Sequence, residues 1–305
     1  MVSLYLEEKR TLAVKILQNL IRIRTHQPEG NEKDLVKYIL ELLPTKCFEI
    51  NLVDHGKNRA SLVAVLPGIS RSSATAFIGH LDTVSVGSSI NWDHSPFAAD
   101  YEDGKVYGRG AANMKGGLTA MILCALSLAS SPVRPPSDVF FCFTADGDFN
   151  GYGAQCLAEG GYLDKVQDIF FLDPTECMVG ISQKGAIWLD INVTGKFSYS
   201  CFPEYGVNAV EYLLRFVGSV DDMLAKELKH RSNAQWRPSC VLTKIQSYSD
   251  EQLDYTVPNR ARGFLDIRTL PGADHDRLIS MIGGLAKDLE NACPSLTVNF
   301  EVVNN

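Results

Sequence analysis

Between residues 74 and 172 the chain repeats one pattern: a short, continuously apolar run, then a longer stretch of helical periodicity. The apolar runs are Ala74–Ile78, Val139–Thr144 and Asp168–Leu172, and the helical stretches between them are Leu118–Leu128 and Ala154–Glu159. A strand that is apolar at successive positions needs cover on both faces, which is the situation inside a parallel sheet flanked by helices. The alternation therefore predicts an α/β layer with a mostly parallel sheet over the first part of the chain.

Two amphipathic helices precede this layer. Leu12, Ile16 and Leu20 fall at i, i+4 and i+8. Leu35, Val36, Ile39, Leu40 and Leu43 form the second stripe, separated from the first by Pro28 and Gly30 and stopped by Pro44. Phe48–Val53 and Ala60–Leu66 read as strands, and Pro67-Gly68 as a turn.

The second part has another rhythm. Ala186–Val193 alternates apolar and polar residues, Val207–Leu228 is helical, and Cys240–Ser247 and Ala261–Arg268 are strands. A helix at His275–Asn291 and a strand at Leu296–Val303 complete β-α-β-β-α-β, a ferredoxin-like unit. The expected division is 1–183 for the α/β domain and 184–305 for the smaller one, and a length of 305 residues suits two domains.

The chain carries 29 basic and 36 acidic residues, a net charge of −7, which argues against phosphate-backbone binding, so no nucleic-acid partner is expected. The longest apolar stretch, Leu118–Ala129, is shorter than the ~18 residues of a membrane span, and no membrane partner is expected. No signal peptide is evident, and the eight cysteines are scattered without metal or disulfide spacing, so a reducing, cytoplasmic location is expected. Cys124 and Cys142 read as core residues.

Gly79-His80-Leu81-Asp82 follows the run Ala74–Ile78, at the end of a parallel strand where ligands bind in open α/β sheets. His80 and Asp82, two residues apart, share a side of extended chain, and an aspartate there can fix the tautomer of a metal-binding imidazole. Lys115 follows a glycine-rich run, but the order Gly-x-x-x-x-Gly-Lys-Ser/Thr is missing and no phosphate loop is predicted.

Further segments add to His80 and Asp82. They are Trp92-Asp93-His94-Ser95-Pro96-Phe97, Gly108-Arg109-Gly110-Ala111-Ala112-Asn113-Met114-Lys115-Gly116-Gly117, Thr144-Ala145-Asp146-Gly147-Asp148, Asp173-Pro174-Thr175 and Asp266-Ile267-Arg268. Together, and in this order, they resemble the acetylornithine deacetylase and succinyl-diaminopimelate desuccinylase family of di-zinc amidohydrolases and peptidases. The resemblance implies a zinc aminopeptidase-like catalytic domain, a lid that also mediates homodimerisation, and hydrolysis of the amide bond of N-acyl amino acids or small peptides.

Carried over by position, the resemblance makes His80 a zinc ligand and Asp82 the residue that orients it, and it makes Asp148 and Asp173 carboxylate ligands. The aspartate that bridges both metals is replaced by Asn113, and the general-base glutamate by Gly147. Tyr199 stands where a lid histidine is expected and Tyr255 where a lid asparagine is expected. Asn208 and Arg268 complete the implied substrate-binding set. The zinc-binding histidine of a C-terminal return segment has no counterpart.

These changes have physical consequences. Two dications about 3.5 Å apart repel by roughly 20 kcal/mol at an effective dielectric near 20. A neutral amide at Asn113 does not offset that repulsion, so at most one tightly held zinc, cobalt or manganese ion is expected, on His80 and Asp173 with help from Asp148. Loss of a general base costs about 10²–10⁴-fold in rate. A weak or inactive hydrolase is the first expectation, a non-catalytic binding or assembly relative the second, and a piece of a longer hydrolase the third. Asp146 is expected to be structural, His26 and His55 to lie in loops, and His230 and His275 to be exposed.

Overall fold

A computed structural model describes residues 2–229, 236–249 and 255–304. The chain divides into two compact units, 1–178 and 179–305.

In the first unit, helices α1 (Val2–Arg22) and α2 (Glu32–Leu42) precede a hairpin of β1 (Glu49–Gly56) and β2 (Arg59–Leu66). Lys57 and Asn58, both with positive φ (46° and 60°), make its two-residue turn, whose backbone matches the twist of the flanking strands. Strand β3 (Ser70–His80) follows, then the small β4 (Asp100–Glu102) and β5 (Lys105–Tyr107), α3 (Gly117–Ala129), β6 (Ser137–Thr144), α4 (Tyr152–Glu159) and β7 (Val166–Phe171). The main sheet has the order β1-β2-β6-β3-β7. β6, β3 and β7 are parallel neighbours, and the β1-β2 hairpin adds antiparallel pairings at one side.

Period-2 alternation along β6 divides its side chains between two cores. Phe141 and Phe143 pack with α1, α2 and α3 on one face, whereas Phe140 and Cys142 pack with Leu157 of α4 on the other. This is the covering on both faces that the continuous apolar runs require. Residues Ala111–Ala129 are apolar enough to resemble a membrane span. Asn113 and Met114 have non-helical dihedrals, however, and Leu118, Met121, Ile122 and Ala125 of the regular part are buried in the core.

The run 168–172 departs from expectation. It forms β7, but Ile169, Phe170 and Phe171 are exposed rather than buried. β7 pairs with β3 along one edge, and among the described residues its other edge has no strand beside it.

In the second unit, β8 (Gly185–Thr194) is followed by β9 (Ser198–Tyr199), α5 (Ala209–Glu227), β10 (Ser239–Tyr248), β11 (Thr256–Val257), β12 (Arg260–Thr269), α6 (His275–Ala292) and β13 (Thr297–Asn304). The four long strands form an antiparallel sheet in the order β10-β12-β8-β13. That is the order in which each β-α-β crossover leaves room for one strand of the other. Ile187, Leu189, Ile191 and Val193 face the helices, where Leu213 and Phe216 of α5 and Leu278 and Ile282 of α6 complete the core.

Candidate metal centre

His80 is the last residue of β3, level with Thr144 at the end of β6. The parallel pairing thus brings the segments after both strands, 81–83 and 145–148, to one end of the sheet. His80 Nδ1 is 3.0 Å from the backbone carbonyl of Asp82 and 3.5 Å from its Oδ1. Nε2 faces the other way, 3.1 Å from Oδ1 of Asn113 and 3.7 Å from Oδ1 of Asp148.

Asp82 is fully buried and saturated with donors. The backbone N–H of Gly147 donates to Oδ1 (2.7 Å), and the N–H of Asp148 donates to Oδ2 (3.1 Å). The Gln27 side-chain amide also donates to Oδ2, at 2.9 Å. Burial opposes its ionisation, but His80, Gln27 and the Gly147 N–H outweigh it and hold the carboxyl below its ordinary range. Burial also opposes a charge on His80, yet Asp82 and Asp148 prevail and raise its pKa to about 9. The Asp148 carboxyl is shifted up, chiefly by burial; His80 opposes this, and the charges of Asp82 and Asp173 add to it.

A cationic imidazole among carboxylates is also a site where a metal ion can take the place of the proton. Among the described residues, His80, Asp82 and Asp148 form the group whose ligand atoms lie within 4.8 Å of one another. The roles within that group differ. Asp82 sits on the Nδ1 side with its oxygens occupied, as a carboxylate supporting a metal-bound histidine does. Nε2 and Asp148, with the Asn113 carbonyl oxygen, are the atoms placed to meet a cation. One nitrogen with oxygen donors suits zinc, cobalt or manganese.

Asp173 lies two residues beyond β7, is exposed, and is not a member of that group. Its segment is fixed by a close approach: a Cβ on Gly117, at the start of α3, would lie 2.1 Å from the Leu172 carbonyl oxygen. The charge of Asp173 acts on the Asp148 carboxyl, while Asp148 is the carboxylate 3.7 Å from His80 Nε2.

Gly147 does more than lack a carboxylate. A Cβ built on it would lie 2.3 Å from Cβ and 2.7 Å from Cγ of His80. Its backbone is packed against the imidazole, so a side chain at position 147 would require His80 or the loop to move.

Around this centre is a buried ion cluster. Asp146 is 4% exposed, lies 3.2 Å from Arg59 and accepts a 2.9 Å hydrogen bond from Gln27. Arg59 also binds the fully buried Glu32 through both Nε and Nη2. Gln27, Glu32 and Arg59 do not stand out in the sequence. Glu32 occupies the polar start of a helix, and its partner is 27 residues away on a strand. Lys115 is also buried, donating from Nζ to the carbonyls of Leu20 and Ile23 at the end of α1 (2.7 and 2.8 Å).

The remaining expected site residues belong to the second unit. Tyr199 and Tyr255 come together on the β9-β11 ladder, where Tyr199 pairs with Thr256 and the Ser200 N–H donates to the Tyr255 carbonyl. Both rings are exposed. Asn208 caps α5, accepting from Val210 N (3.0 Å) and Glu211 N (3.4 Å) while its amide donates to Glu211. The sequence Asn208-Ala209-Val210-Glu211 carries this capping signal. Arg268 is paired with Asp266 (2.8 Å) and lies over Trp188. His55 lies in β1, hydrogen-bonded to Ser61, rather than in a loop. His275 is partly buried against Thr269, and His230 falls outside the described residues.

Comparisons with known proteins place the chain in a family. A profile of peptidase family M20/M25/M40 matches residues 76–288. A Staphylococcus aureus (strain Mu50) protein named "Probable succinyl-diaminopimelate desuccinylase" is 26% identical over 305 residues, covering 93% of this chain and 75% of that protein. A Staphylococcus epidermidis protein of the same name is 31% identical over 207 residues, covering 68% of this chain and 50% of its own. Among solved structures, the Saccharomyces cerevisiae di-peptidase Dug1p superposes with a TM-score of 0.74 at 15% identity, over 98% of this chain and 78% of that one. Human carnosine dipeptidase 1 gives 0.71 at 15% identity, over 98% and 79%. At such identities the two structures establish the shared fold.

Proposed function

This chain belongs to peptidase family M20/M25/M40, and from that membership we propose that it is a one-cation amidohydrolase of N-acyl amino acids or small peptides, slowed by the loss of its general base. The observation that carries this reading is the division of labour around His80. Nε2 faces Asp148, while at Gly147, where the resemblance expects a base, the His80 side chain crowds the space a side chain would need.

A divalent cation bound at His80 and Asp148 would supply Lewis-acid polarisation of an amide carbonyl. The chain's own residues orient the imidazole, through Asp82, and offer the Asn113 carbonyl in place of an anion. Neutral Asn113 supplies less negative charge than a bridging carboxylate, which favours one ion over two. Without a side chain at 147, turnover is expected to lose roughly the 10²–10⁴-fold that a general base contributes.

The second reading is a non-catalytic protein that binds the same ligands, and the Gly147 contact favours it as well. An assay on acetylated and succinylated amino acids and on dipeptides separates the two. Slow release of free amine that needs zinc, cobalt or manganese and disappears in His80→Ala supports the hydrolase. Ligand binding with no metal-dependent turnover rejects it in favour of the binding protein. A homodimer through residues 184–305 belongs to the proposal; Val241, Ile245 and Tyr248, exposed on the edge strand β10, support it. All eight cysteines are free, which supports a cytoplasmic location.

A further inference from the structure

The segment after α1 runs beside the segment after β3, joined to it by an isolated parallel bridge between His26 and Thr83. Thr83 N donates to the Thr25 carbonyl (2.9 Å), Gln27 N donates to the Thr83 carbonyl (2.8 Å), and Thr25 Oγ1 donates to the Leu81 carbonyl (2.7 Å). These bonds fix the backbone of Gln27 next to Asp82. Its side-chain nitrogen then reaches two carboxylates at once, Asp82 Oδ2 and Asp146 Oδ1, each at 2.9 Å. Both acceptors are carboxylate oxygens, so the amide can present only its NH₂ group to them, with one hydrogen for each.

This bridge occupies a particular place in the charge pattern. Asp82 and Asp146 are both almost wholly buried, and two facing carboxylates in a poorly solvated region repel unless a donor stands between them. Asp146 is tied on its other side to Arg59, and Arg59 to Glu32. Asp82 is tied on its other side to His80. Gln27 is therefore the neutral link between a structural ion cluster and the carboxylate behind the metal-facing imidazole. A lysine there would neutralise charge that favours a cation, and a glutamate would add a third carboxylate to the repulsion.

We propose that Gln27 is a positioning residue for the cation site: by clamping Asp82 to the Asp146–Arg59–Glu32 cluster it fixes the orientation of His80. The inference rests on the metal-binding reading above. Outer carboxylate partners of metal-bound histidines typically matter about 10–100-fold in metal affinity, and Gln27 acts one step further out through such a partner.

The test uses the full chain, stripped of metal, with zinc chloride and manganese chloride as probes. Gln27→Met keeps the length of the side chain and removes the donor. It should weaken cation binding in titration calorimetry by about 10-fold or more and shift the ring ¹⁵N resonances of His80 in the metal-free protein. Gln27→Asn, too short to span both carboxylates, should show a smaller loss in the same direction and serves if Gln27→Met folds poorly. Unchanged affinity together with unmoved His80 resonances, even with a lower melting temperature, would show a packing role only and overturn the inference. If the wild-type chain takes up neither ion, the metal reading fails, and a shift of the His80 resonances in Gln27→Met would still support the positioning role.

Discussion

A β-carbon on Gly147 would lie 2.3 Å from Cβ of His80, so the His80 side chain occupies the space that a side chain at position 147 would need. The contact is held in place by Asp82, which accepts from the N–H groups of both Gly147 and Asp148.

Gly147→Glu is therefore expected not to restore a general base. The new side chain must displace the imidazole or the 145–148 backbone, and overpacking of this kind costs about 1–3 kcal/mol. Even Gly147→Ala should lower stability and weaken metal binding. Denaturant unfolding, zinc titration and an acyl-amino-acid assay on both variants check this; a gain of hydrolysis in Gly147→Glu would mean that the loop yields readily.

Stability of the metal-free protein should depend on pH through His80. Its pKa rises from an ordinary 6.5 to about 9, because the Asp82 and Asp148 carboxylates outweigh the cost of burial. The folded state thus keeps a proton that the unfolded chain releases. The stabilisation is complete below about pH 6.5, is lost as pH rises through about 9, and is worth at most about 3 kcal/mol. Lys115, drawn down to about 7 by burial, works in the opposite sense, since its burial becomes less costly as pH rises from there. Comparing wild type with His80→Gln cancels the lysine, and the stability gap between them should shrink from pH 6 to pH 10.

Asn113→Asp places an anion within reach of His80 Nε2, now 3.1 Å from the amide oxygen. The expected result is tighter binding of the first ion and retention of a second, because a shared carboxylate offsets the repulsion between dications. Metal counting by mass spectrometry after dialysis reads this directly. Hydrolysis should remain slow, since position 147 is unchanged.

Asn208→Ala should cost about 1 kcal/mol of stability, the usual worth of a helix N-cap. Ligand affinity should stay the same, because the Asn208 carbonyl oxygen is used on Val210 and Glu211. Thermal melts with ligand-binding isotherms test both halves of the statement, and a selective loss of affinity would return Asn208 to the binding site.

Much of the architecture follows from local rules that a sequence displays. Apolar runs such as Val139–Thr144 demand cover on two faces, and the alternation in Ala186–Val193 demands it on one; the strands lie where those demands are met. The identities of His80, Asn113, Gly147 and Asp148 were equally plain, because a motif keeps its residues close in the chain. What the residue order could not express was proximity between distant segments. Gln27 meets Asp146 across 119 positions, Glu32 is buried because Arg59 arrives from a neighbouring strand, and Asp148 lies beside the imidazole of His80. That Asn113 and Gly147 stand where the resemblance expects acidic residues is legible from residue order alone. That His80 crowds position 147 follows from the fold alone, since steric exclusion depends on the distance between a backbone and an imidazole that lie 67 residues apart in the chain.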